Sequence, residues 1–175
     1  MKKQLVLVRH AKSSWKQIHL QDDKRPIKKS GLRDIEITAT AFQKEKIKPD
    51  VIISSPAVRA YDTAKIVAGK IKYKVTAIKK DPRIYESNRL QLMRVIREQA
   101  DKINCIVLVG HDPSMVNLLI HLTDEKMEKL PTSGIACIEF NMKSWTEISK
   151  KKGKLVYFVY PKKLIPKEGD NHEQT

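Results

Sequence analysis

The chain is 175 residues long, enough for one domain with a real core. Its net charge of +15 raises the question of nucleic acid. Yet the lysines are spread over almost every segment, and aromatics make up only 6 % of the residues, too few for an obvious base-stacking platform. Two cysteines do not make a disulfide framework. The apolar stretch after Met1-Lys2-Lys3 is too short for a signal peptide or a membrane span, so the expected location is the cytoplasm.

Leu5-Val6-Leu7-Val8 is apolar without polar alternation, as in a strand buried on both faces, and it runs directly into Arg9-His10. A polar stretch from Lys12 to Lys29 reads as a long loop beside that strand end. Ser30 is expected to cap a helix carrying Leu32, Ile35, Ala39 and Phe42 at helical spacing. A second apolar run, Val51-Ile52-Ile53, leads into Ser54-Ser55-Pro56-Ala57-Val58-Arg59-Ala60. There Ser55-Pro56 is expected to open a helix with Arg59 in its first turn. Residues 75–78 read as a short strand, Ile84-Tyr85-Glu86 as a loop, and Asn88 with Gln91 as a capping box for a helix reaching Ala100.

A third apolar run, Cys105-Ile106-Val107-Leu108-Val109, ends in Gly110-His111-Asp112-Pro113. Asp112-Pro113 is the expected start of a helix with Met115, Leu118, Leu119 and Leu122 on one face. Residues 135–140 and 155–160 read as strands. Alternating strands and helices predict an α/β, three-layer α/β/α sandwich on a mainly parallel sheet. The domain is expected to span residues 1–166, with a frayed tail over 167–175. Cys105 and Cys137 fall inside apolar strands and read as small buried hydrophobes.

Three strand ends therefore deliver Arg9, His10, Arg59 and His111 to one rim, the carboxyl edge where open α/β sheets bind ligands. An arginine presents a planar, permanently charged fork to phosphate oxygens, and a neutral imidazole can attack phosphorus. The combination points to phosphoryl transfer. Lys12 and Ser13 could touch phosphate from the loop, while Ser54 and Ser55 are better explained by capping. His121 reads as a packed histidine, and His19 and His172 have no strand-end context.

The ordered set of motifs resembles the histidine phosphatase superfamily, most closely its SixA-like phosphohistidine phosphatases. It comprises Arg9-His10-Ala11-Lys12-Ser13-Ser14-Trp15, Arg25-Pro26 with Ser30-Gly31, Lys48-Pro49-Asp50 with Ser54-Ser55-Pro56-Ala57-Val58-Arg59-Ala60, Tyr85-Glu86-Ser87, Val109-Gly110-His111-Asp112-Pro113 and Leu130-Pro131-Thr132-Ser133-Gly134. Ala11 stands where most of the superfamily has glycine, a change typical of the SixA-like branch. The resemblance implies a phosphoglycerate mutase-like fold, His10 as nucleophile through a phosphohistidine intermediate, and Arg9, Arg59 and His111 as the phosphoryl clamp. Glu86 falls where many members carry a proton donor. No metal or organic cofactor is implied. Lys16 replaces the phosphate-contacting asparagine of the mutase branch, which argues against a sugar-phosphate mutase.

Short intervals between the motifs predict an open, shallow site, suited to a phosphohistidine presented by a protein. Two alternatives stay open: a phosphatase of small phosphate esters, and a basic anion- or RNA-binding module with a vestigial site.

Overall fold

Strand β1 (Lys2–Arg9) divides its side chains between two hydrophobic clusters, Leu5 and Leu7 in one, Val6 and Val8 in the other. Successive strand residues point to opposite faces, so an uninterrupted apolar run belongs in a sheet covered on both sides. The same division holds in β2 (Val51–Ser54), β4 (Cys105–Gly110) and β5 (Ile135–Asn141). These features come from a computed structural model describing residues 1–165. The expected tail, 167–175, lies outside the described residues.

Helices α1 (Lys29–Gln43) and α2 (Val58–Lys70) cover one face with Ile35, Ala39, Phe42, Ala60, Ala64 and Val67. Helices α3 (Arg89–Arg97) and α4 (Ser114–Leu122) cover the other with Leu92, Ile96, Leu118 and Leu122. Adding β3 (Lys79–Lys80), β6 (Lys154–Val159) and the short α5 (Pro161–Leu164), the sheet order is β3-β2-β4-β1-β5-β6. The pairs among the first four strands are parallel, and β5 runs antiparallel to both neighbours. This is the expected three-layer sandwich on a mainly parallel sheet. No helix among the described residues is long and apolar enough to cross a membrane.

Several expected element boundaries shift, some through local bonds and one through a contact between distant segments. Ser30 does not cap α1, which starts at Lys29 after Lys28 donates its N–H to the Lys12 carbonyl at 3.0 Å. That contact is so close that a Cβ on Gly31 would stand 2.4 Å from the same oxygen, which leaves room only for glycine. Residues 75–78 form no strand. Local bonds from Ala77 to Lys74 and from Ile78 to Val75 wind a 3-10 turn, Val75–Ala77, and only Lys79–Lys80 pair at the sheet edge. Helix α3 stops at Arg97, because Gln99 already bonds three residues back, to Ile96, instead of four. Helices α2 and α4 open at Val58 and Ser114, just beyond the two Ser-Pro and Asp-Pro pairs. Asn88 caps α3 by accepting from the Gln91 N–H at 3.0 Å, as its spacing predicts.

Candidate active site

Strand register brings the two histidines together. Arg9 pairs with Gly110 across β1 and β4, and the His10 N–H donates to the Gly110 carbonyl at 3.1 Å. His10 and His111 therefore leave the sheet side by side, with ring centroids 5.0 Å apart. Beside them Ser55 follows β2, its N–H donating to Val109 at 2.9 Å.

Helix α2 is tied to the same rim through Thr63. The Ala11 N–H donates to Thr63 Oγ1 at 2.9 Å, and that hydroxyl donates to the Arg59 carbonyl one turn earlier at 2.7 Å. Ala11 itself is fully buried in the cluster that holds Ala57, Ala60 and Ala64, so a methyl at this position is packed against small neighbours.

His10 is 9 % exposed, and its Nδ1 lies 2.8 Å from the Ala11 carbonyl. A carbonyl can only accept, so Nδ1 carries the proton and Nε2 keeps its lone pair. Burial, with smaller pushes from Arg59, Arg9 and Arg25, lowers this imidazole to about 4 against the opposing pull of the Ala11 bond. Burial, followed by the neighbouring His10 and Arg59, lowers His111 to about 3. Both rings are neutral at pH 7, the state in which an imidazole can act as a nucleophile.

A buried neutral histidine makes stability depend on pH. Between the unfolded value of 6.5 and about 4, the unfolded chain binds a proton at this histidine and the folded chain does not, so stability falls as pH drops through that window. For His10 the loss should approach roughly 3 kcal/mol. Urea unfolding at pH 7 and pH 4.5 should show a smaller pH-dependent loss for His10→Gln than for the wild type. Equal losses would mean that the buried ring is not the source.

The three cationic or polar neighbours share one arrangement, anchored on one side and unpartnered on the other. Arg9 donates Nη1 to the Leu130 carbonyl at 2.8 Å, with the Asp112 carboxylate 3.7 Å away, while its buried Nε has no partner among the described residues. Arg59, 6 % exposed, likewise has an unpartnered Nε. His111 Nε2 sits 2.7 Å from Ser55 Oγ, and its buried Nδ1 is unpartnered. A Ser55 hydroxyl that donates to Nε2 leaves the His111 proton on Nδ1, as a donor toward an anion. Buried polar groups without partners are uncommon in folded proteins, and a cluster of three around one imidazole suits an oxyanion. Ser55 does not cap α2 as its sequence suggests: the helix opens at Val58 after Ala57, and Ser55 Oγ accepts from the Ala57 N–H at 3.2 Å ahead of it.

The loop before α1 contributes residues that no strand-end argument singles out. Asp22, in a 3-10 turn over Asp22–Lys24, accepts from both terminal nitrogens of Arg59. Nη1 reaches its carbonyl at 2.7 Å and Nη2 its Oδ2 at 2.9 Å. Its Oδ1 takes Arg25 Nε at 3.1 Å, and Tyr85 donates its hydroxyl to Oδ2 at 2.7 Å. Burial alone would raise the Asp22 carboxyl, but the bonds from Tyr85, Arg59 and Arg25 hold it well below the usual carboxylate range. Burial and the bond to Asp22 push the Tyr85 hydroxyl up to about 12. Arg25 also donates to Ser13 Oγ at 2.6 Å and lies 3.5 Å over the Trp15 ring. Sequence signalled part of this set through the motifs holding Ser13 and Trp15, Arg25-Pro26, and Tyr85, but nothing in it pointed to Asp22. Asp22, Thr63 and Tyr85 act through contacts that only folding creates.

Among the candidate residues read from sequence, the structure gathers Arg9, His10, Arg59 and His111. It places Glu86 at the rim, exposed, in a left-handed backbone conformation with φ 48, directly after Tyr85. Its carboxylate bonds to none of the four. Tyr85 bridges that gap, its ring standing edge-on to His111 at 5.5 Å. Lys12 faces Asp34 at 3.8 Å. The motif Leu130-Pro131-Thr132-Ser133-Gly134 braces β1. The Ser133 N–H donates to the Arg9 and His10 carbonyls at 3.1 and 3.3 Å, and the Arg9 N–H donates to Gly134 at 3.1 Å.

The sequence model of histidine phosphatase superfamily branch 1 matches residues 5–92, half of the chain, including three of the four gathered residues. The chain belongs to the histidine phosphatase superfamily. An uncharacterized chloroplastic protein of Arabidopsis thaliana is 27 % identical over 153 residues, 83 % of this chain and 70 % of its own length. Among solved structures, the protein histidine phosphatase SixA complexed with tungstate is similar with a TM-score of 0.78 at 16 % identity, over 93 % of this chain and 99 % of that one. A mycobacterial glucosyl-3-phosphoglycerate phosphatase gives 0.61 at 15 % identity, over 91 % and 98 %. At these identities the structures speak to the fold, which is that of the superfamily. Membership of the histidine phosphatase superfamily supports a phosphatase acting on phosphorylated substrates.

Proposed function

We propose that this protein is a phosphatase that removes phosphate from phosphohistidine in other proteins by way of a phosphoenzyme on His10. The observation that supports it most is the state of His10. This buried, neutral imidazole has its proton held at Nδ1 by the Ala11 carbonyl, and it stands among the unpartnered nitrogens of Arg9, Arg59 and His111. The His10 Nε2 lone pair forms the new bond to phosphorus as the substrate's P–N bond breaks. The electron pair of that bond stays on the leaving nitrogen as its lone pair, and the substrate imidazole, already protonated on its other nitrogen, departs neutral. Water then attacks phosphorylated His10 and releases inorganic phosphate. Arg9, Arg59 and His111 offset the charge on the transferring oxygens. A purely anion-binding module has no need of a neutral imidazole at the centre of its cations.

Substrate class rests on the surroundings. The site opens beside a cleft of about 770 Å³ where Arg9, Lys12, Lys129 and Lys162 outnumber Asp34 and Glu128, and this excess of positive charge suits an acidic protein surface around the phosphorylated side chain. Turnover of a phosphohistidine protein and of a panel of small phosphate esters tests the reading. A kcat/KM higher for the esters would replace it with ester hydrolysis.

Glu86 supplies a sharper division. An alkoxide must be protonated as it departs, whereas imidazole can leave already carrying its proton. As the proton donor for esters, Glu86 should cost alkyl phosphate hydrolysis roughly a hundredfold or more when changed to Gln. Aryl phosphate and phosphohistidine should be far less affected. Equal losses on all three would assign Glu86 to substrate placement or structure.

A further inference from the structure

We infer that Asp22 is a positioning residue that holds the end of the Arg59 guanidinium, so that its side edge faces the transferring phosphoryl group. This assignment rests on the phosphoryl-transfer reading of the site and adds to it a residue from the loop before α1.

A guanidinium offers two forks. The end fork is made by Nη1 and Nη2, and the side fork by Nε and the second hydrogen of Nη2. Asp22 occupies the end fork with two oxygens of one residue, its carbonyl on Nη1 and Oδ2 on Nη2. The side fork is left over, and its Nε is buried and unpartnered. Arg59 is 6 % exposed, so the guanidinium cannot turn freely to choose which fork it presents. Arg9 follows the same plan, with Nη1 on the Leu130 carbonyl and Nε unpartnered. Two arginines from different elements are thus each gripped at Nη1 and left open at Nε.

Asp22 is also well held in turn. Arg25 Nε and Tyr85 Oη bond its two carboxylate oxygens, and Arg25 is fixed by Ser13 and by the Trp15 ring. The Arg25, Asp22, Arg59 series makes the geometry of the clamp depend on how the loop over residues 13–25 is seated. A bidentate contact loses much of its benefit once the fork is misdirected, because positioning is part of what it contributes.

The rival description has the Asp22 carboxylate sitting where the phosphoryl oxygens belong, as an internal competitor. The two make opposite predictions. Asp22→Ala should weaken inorganic phosphate binding, read by calorimetry, and lower kcat more than it raises KM, each effect on the order of tenfold. Asp22→Asn keeps an oxygen for Nη2 and should fall between alanine and wild type, which also covers a poorly folded alanine variant.

In an Arg59→Lys background, Asp22→Ala should cost little more, since an ammonium has no fork to aim. Tighter phosphate binding by Asp22→Ala would overturn the assignment in favour of competition. Equal losses with and without the Arg59→Lys change would overturn it in favour of a general structural role through Arg25 and Tyr85. A wild-type protein that binds no phosphate overturns it outright. If the coupling holds but phosphohistidine proteins are not turned over, the substrate reading falls and the Asp22 assignment stands.

Discussion

Replacing His10 by alanine should reduce phosphatase turnover by on the order of 10⁴-fold or more, because in the proposed mechanism it removes the atom that forms the bond to phosphorus. The effect should be on chemistry and not on folding. The ring is bonded to the backbone next to it, and the β1 register is set by main-chain bonds to β4 and β5. Two measurements check this. Rapid acid quench with a ³²P-labelled substrate should trap label on wild-type protein at His10 and none on His10→Ala, while circular dichroism and melting stay close to wild type. Retained turnover in the alanine variant would refute the mechanism.

The second large effect concerns the clamp. Arg59→Ala and His111→Ala should each lower kcat by roughly 10² to 10³, the usual cost of deleting a donor aimed at developing charge. Arg59→Lys should recover only part of the rate. A lysine brings the charge but neither the side fork nor the two-point grip on Asp22. The loss should lie mainly in kcat, since Arg59 Nε and His111 Nδ1 have no partner among the described residues and are free to meet a transferring group. Steady-state kinetics on one substrate across the three variants decides it, and a lysine variant equal to wild type would show that charge alone suffices.

Much of this was readable from residues alone. Runs such as Leu5-Val6-Leu7-Val8 and Cys105-Ile106-Val107-Leu108-Val109 have no polar face, which leaves a doubly covered sheet as their only stable setting. The residues that follow each run are then bound to emerge at one rim. That is why Arg9, His10, Arg59 and His111 could be grouped without coordinates. Element boundaries were less legible. Ser30 has the right chemistry for a cap, and residues 75–78 have the right composition for a strand. Both were overruled by backbone bonds, from Lys28 to Lys12 in the first case and from Ala77 to Lys74 and Ile78 to Val75 in the second.

Fold class, rim and the four nitrogen-bearing side chains on it can all be read from the order of the residues. Each of these follows from local apolar pattern and from what stands next to it in the chain. How those four are held depends on contacts that form when the chain folds. The His10 proton sits on Nδ1 because a neighbouring carbonyl turns toward it, and both imidazoles titrate low because packing removes water from them. Arg59 presents one fork and not the other because Asp22, 37 positions away in the chain, occupies the first. Such contacts join segments with no pattern in common, so no periodicity or motif announces them, and they exist only once the loop has closed over the strand ends.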